Sequence, residues 1–149
     1  MSRLHRIAHL AKRFAASLSR QPPSASDEEW AESWLLPRES TLWRRMPNVD
    51  RRHAIDVARR FLVLRDGATR DEMAGALLHD VGKVESGLGT WGRVLATITG
   101  PRTRRFRAYH DHEAIGARWL ADAASPAATI DVVLGRGPAA ADLHAADDI

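Results

Sequence analysis

The chain has 149 residues, of which 44% are hydrophobic and 28% charged, with a formal net charge of +3. That balance suits one globular domain and argues against a disordered segment. It contains no cysteine, which excludes disulfides, thiolate metal sites and a cysteine nucleophile and fits a reducing cytoplasm, the expected location. No apolar run approaches the ~20 residues of a membrane-spanning helix, and the basic start "MSRLHRIAHLAKRF" carries no secretory signal.

The first segment, residues 1–20, places Leu4, Ile7, Ala11, Phe14 and Leu18 at helical spacing, with Arg3, Arg6, Lys12, Arg13 and Arg20 around them. It reads as a basic amphipathic helix with a solvated face. The alternative is a helix lying on a membrane surface or nucleic acid. Residues 21–26, "QPPSAS", form a linker, and the domain proper is expected over 27–149. "DEEWAESWLL" opens with acidic residues that favour the start of a helix. Pro37 breaks it, and "RESTLWRRM" forms a short helix. Trp30, Trp34 and Trp43 suit the core, with base stacking as the alternative.

Asp50 is the expected cap of "RRHAIDVARRFLVL", whose apolar stripe is Ala54, Val57, Ala58, Phe61 and Leu62, and Gly67 ends it. Thr69 or Asp71 caps "ATRDEMAGALLHD", which turns Ala74, Leu77 and Leu78 inward before Gly82 stops it. "GTWGRVLATITG" is a glycine-bounded helix. "PRTRRFRAYHDH" is a basic connection into the helix "EAIGARWLADAA". Ser125 or Pro126 begins "PAATIDVVL", "GRGP" breaks the chain, and "AAADLHAADDI" is helical again. No segment alternates as a strand does and no repeat is present. The expectation is an all-α, single-domain bundle of about seven or eight helices.

Three pieces carry metal chemistry: His53, the pair His79–Asp80, and the carboxylates Asp147 and Asp148. Imidazole with carboxylate suits a divalent ion such as manganese, iron, cobalt, nickel or zinc. Adjacent helical residues point about 100° apart, so His79 and Asp80 reach one ion only where the helix ends or the ion sits between them.

"RRHAIDVARR", "ALLHDVGK" and "LHAADDI", in this order, resemble the HD-domain superfamily of metal-dependent phosphohydrolases, from about Arg51 onward. "HDVGK" is close to that family's "HDIGK" variant, and "HEAIGA" to its H-x-x-x-G-A helix. The resemblance implies an HD-type helical bundle with His53, His79, Asp80 and Asp147 as metal ligands. Asp147 is preferred to Asp148 because Leu143, Ala146 and Asp147 match the family's aliphatic-x-x-Ala-Asp ending. Asp80 would also accept a proton from the attacking water, and Lys83 would lie near the phosphate. His112 would be an accessory residue, lining the pocket or adding to a second metal. Where two-metal members carry a His-His pair this chain has Gly135 and Arg136, which implies a single divalent ion, magnesium included among the candidates.

The implied reaction is hydrolysis of a phosphomonoester or phosphodiester, and the implied partner a phosphorylated, nucleotide-like small molecule. Arg51 or Arg52 would stabilise charge on the phosphate, and Arg136 is either a further phosphate contact or a loop residue. Arg102, Arg104, Arg105 and Arg107 are a solvated loop or an attractor of phosphates. Glu72, Glu85 and Glu113 are candidate bases by nearness in sequence. The alternative is a degenerate HD module that binds a nucleotide or a protein without hydrolysis.

Overall fold

A computed structural model of the chain describes residues 20–86 and 111–148. The described residues form seven α-helices and no strand: α1 (Ala25–Glu32), α2 (Pro37–Arg45), α3 (Asn48–Leu64), α4 (Arg70–Leu78), α5 (His112–Asp122), α6 (Ala127–Val133) and α7 (Gly137–Asp147). A 3-10 turn, Val81–Ser86, follows α4. The helices expected over 1–20 and in "GTWGRVLATITG", and the basic connection with its arginines, lie outside the described residues, apart from Arg20 and the end of that connection. The carbonyl of Arg20 accepts from Asn48 Nδ2 at 3.0 Å. No described helix is long and apolar enough to cross a membrane.

α4 is the centre of the bundle. Every residue from Met73 to Leu78 is buried, the pattern of a helix enclosed on all sides. It packs against α3 and α6, and more lightly against α2. A Cβ on Gly75 would come within 2.7 Å of Val132 Cβ on α6, so glycine is what lets these two helices approach. Thr129 Oγ1 donates to the Asp71 carbonyl at 2.9 Å and ties the same pair together. The core continues through Trp43, Ile55, Val57, Phe61 and Leu120. Trp43 is fully buried, while Trp30 and Trp34 are partly buried against the core, meeting edge to face.

The helix starts follow capping chemistry, with corrections to the expected boundaries. α1 begins at Ala25, inside the expected linker, because Ser24 Oγ accepts from the Asp27 N–H and so serves as N-cap. α3 begins at Asn48 after Pro47, whose extended backbone ends the preceding turn. Asp50 is therefore not the cap but a buried first-turn residue. Thr69 caps α4, and its capping box with Glu72 is complete in both directions. The buried stripe of α3 includes Ile55 but not Leu62, which is 39% exposed. One residue beyond Phe61 is a rotation of about 100°, enough to leave the buried face.

Gly82 does not stop α4 by its position. The helix ends at Leu78 with His79 as C-cap, before Gly82 is reached. Gly82 instead lies in the 3-10 turn, where a Cβ would sit 1.8 Å from the carbonyl oxygen of His112. Gly116 faces it from α5, with its own built Cβ 3.3 Å from the Gly82 nitrogen. Two glycines thus let the turn press directly on the backbone of α5.

Candidate metal centre

Each group in the centre is delivered by a helix end or a helix face. α3 presents His53 from its second turn, and the end of α4 presents His79 and Asp80. The glycine contact described above sets the first residue of α5, His112, beside them. α7 supplies Asp147 from its last turn. One donor atom from each of His53, His79 and Asp147 lies within 4.8 Å of the other two, and these three residues could hold a metal ion.

His79 is the most constrained member. Its Nδ1 bonds to the Ala76 carbonyl at 2.8 Å. A carbonyl can only accept, so Nδ1 carries a proton, and whenever the ring is neutral Nε2 offers the lone pair. That Nε2 is buried and has no hydrogen-bond partner. A backbone carbonyl behind one ring nitrogen, with the other nitrogen bare, is the arrangement that orients a metal-binding histidine. The His53 ring lies 6.0 Å from the His79 ring, centre to centre. His53 Nε2 meets Asp147 Oδ1 at 2.8 Å.

Asp80 is 4% exposed. Its Oδ2 accepts from Lys83 Nζ at 2.6 Å. Residues three apart eclipse in a 3-10 turn, and the Lys83 N–H donates to the Asp80 carbonyl at 3.0 Å, so the turn itself seats the lysine on the carboxylate. Oδ1 lies 3.5 Å from both His79 Nε2 and His112 Nε2. Burial would raise the Asp80 carboxyl, but the charges of His79, Lys83 and His112 and the Lys83 hydrogen bond outweigh it and hold it far below the usual range. Asp147 is also lowered, chiefly by its bond to His53, against the opposing effects of burial and of Asp80.

His53, His79, Asp80, Lys83, His112 and Asp147 are therefore linked through these contacts. Asp80 is not among the three residues whose donors mutually converge; its carboxylate is engaged by Lys83. Asp148 is 68% exposed and pairs with His144 at 3.3 Å, consistent with the preference for Asp147. Arg51 is committed elsewhere, bonding Asn48 Oδ1 and pairing with Glu28, both at 2.5 Å. It stands two residues before His53, a rotation of about 200°, and so faces away from it. Arg136 is 68% exposed and lies 3.8 Å from Asp131. Glu72 is occupied by the α4 cap and by Arg65. Glu85 and Glu113 are exposed, and Arg52 is half-buried. A separate hollow of about 310 Å³ between α2 and α5 is lined by Arg38, Arg45 and Trp119 among others, and by none of the centre's residues.

One residue beside the centre escaped the motif. Arg60 of α3 donates from Nε to the Ala146 carbonyl at 2.7 Å. Its signal in the sequence is spacing alone: seven residues after His53 the helix has turned almost twice, so the two share a face.

No protein-family model, curated protein or solved structure matches this chain.

Proposed function

We propose that this protein is a metal-dependent phosphohydrolase of the HD-domain type, acting on a phosphomonoester or phosphodiester of nucleotide-like chemistry. The observation that carries this reading is His79: its Nδ1 proton is spent on a backbone carbonyl and its buried Nε2 has no hydrogen-bond partner, within reach of donors from His53 and Asp147. A bare, buried ring nitrogen costs free energy unless something takes its lone pair. The donor set, nitrogen with carboxylate oxygen, suits a first-row divalent ion.

His53, His79 and Asp147 would hold the ion, with Asp80 as the fourth ligand that the family resemblance implies. When bound, it would supply Lewis acidity, making a water nucleophilic near neutral pH and offsetting charge on a phosphate oxygen. Lys83 keeps Asp80 ionised through a hydrogen bond. A carboxylate held that low is a weak proton acceptor, so Asp80 contributes negative charge and orientation more than base strength. Lys83, 20% exposed at its side chain, is the cation best placed to meet a phosphate. Arg52 and the exposed Arg136 are secondary candidates. In the proposed setting the protein works in the cytoplasm, consistent with its lack of cysteine.

Metal analysis of the purified protein, repeated on His79→Ala and on His79→Ala/Asp80→Ala, tests the reading. Stoichiometric metal in the wild type, lost together with phosphoesterase activity in the variants, is the expected result. A wild type that takes up no transition metal, or a double variant that keeps both metal and activity, sinks it. A second reading, a module that binds a nucleotide without turnover, is favoured by one observation. Among the described glutamates considered as bases, Glu72 is fully engaged and Glu85 and Glu113 point to solvent-exposed positions. Intact metal and nucleotide binding with no turnover across a phosphoester panel would select it.

A further inference from the structure

We infer that Arg60 is a positioning residue for Asp147, setting how tightly the centre holds a cation. This rests on the metal reading above. Asp147 is the last residue of α7, and the final carbonyls of a helix have no partner within it. Such a turn frays unless something outside holds it. α3 holds it at two points. His53 takes the Asp147 side chain at 2.8 Å, and Arg60 takes the backbone carbonyl one residue earlier at 2.7 Å.

The two contacts differ in what metal uptake does to them. His53 and Asp147 both belong to the ligand cluster, so the bond between them cannot be counted on to place Asp147 once both serve an ion. The Arg60 contact uses no ligand atom and is unaffected. A guanidinium at a helix C-terminus is also favoured by the helix dipole. Arg60 is half-buried, which shields the bond from competing water. Just past the end of α3, Arg65 bonds Asp142 at 3.0 Å, one turn earlier on α7. That contact registers the two helices but leaves the last turn to Arg60. Partners bonded directly to a ligand alter metal affinity by about ten- to a hundredfold when removed, and a contact one residue away stands at the lower end of that range.

The test is titration of the metal-free full chain with cobalt(II), read by the ligand-field absorption, together with amide hydrogen exchange on the metal-free protein. Arg60→Ala is expected to weaken cobalt affinity about tenfold and to speed exchange selectively at residues 146–148. Arg60→Lys, which keeps a donor and the charge, should recover part of both. Arg59→Ala is the control. It removes an ion pair to Asp27 and a stack over Trp30 on the same helix and should leave cobalt affinity unchanged. If Arg60→Ala fails to fold, Arg60→Met keeps the apolar stem and removes the donor. Wild-type cobalt affinity in the folded Arg60 variant, or an equal loss in Arg59→Ala, overturns the inference. If the wild type itself takes up no cobalt, the metal reading fails and exchange alone decides: selective opening of the last turn sustains the Arg60 contact, and uniform or unchanged exchange overturns it.

Discussion

The centre has two halves built in opposite ways. His79 and Asp80 are buried, and their partners are a backbone carbonyl and a lysine three residues away in the same turn. His53 and Asp147 have side chains 33% and 40% exposed, and they hold each other across 94 residues of sequence. The buried half is preorganised by local geometry and by the glycine contact beneath it. The exposed half depends on how α3 and α7 are registered. A cation entering such a site meets two residues that are already fixed and two that must be kept in place.

Four experiments break or sharpen that contrast. The largest effect is expected for Asp80→Ala, which leaves the Lys83 ammonium without its buried carboxylate. The cost should be about 3 kcal/mol, at the low end for a broken buried pair because the lysine can turn toward water, measured by urea unfolding. Gly82→Ala comes next, at about 2–3 kcal/mol, because the new methyl group meets the His112 backbone rather than a movable side chain. A normal Tm for this variant would show that the turn and α5 are not locked together.

Acid gives a smaller, graded effect. Asp80 and Asp147 both have lowered carboxyls, so their contribution to stability is present above the ordinary aspartate range, near pH ~4, and is lost as the pH falls through their folded values. Metal-free protein should lose stability progressively below about pH 4. Asp80→Asn should flatten part of that decline, and an unchanged acid limb would show that the Asp80 contacts are not held in solution. His53→Ala should cost the least, under about 1 kcal/mol, because a half-exposed pair is partly screened by solvent. It should nonetheless abolish metal uptake if the proposed site is right, because that site uses His53 as a ligand.

Much of this was legible in the sequence. Apolar spacing marked α3 and α4, start and stop residues marked the other described helices, and Thr69 stood as one of two candidate caps of α4 because a cap is written in adjacent residues. His53, His79 and Asp147 were legible through the ordered motif, and the structure brings them together. What was not legible depends on neighbours distant in the chain. Gly82 looked like a helix stop, yet its function is to admit the carbonyl of His112, a partner 30 residues later that no local pattern reveals. Asp50 looked like a cap because a carboxylate near a helix start fits either role, and Pro47 settled the choice by fixing the backbone earlier. Arg51 stood with Arg52 as the arginine expected at the phosphate, and helical rotation turns Arg51 toward Glu28 instead. The same rotation would have found Arg60.

The contact between His53 and Asp147 also bears on the order of assembly. Closing a loop of that length costs entropy before any bond can repay it, and such contacts tend to be absent from a folding nucleus dominated by nearer partners. The exposed half should therefore form late, after the core around α4 has condensed. A chain caught before that step would already carry His79 and Asp80 in their turn, with one side of the proposed cation site still open to water.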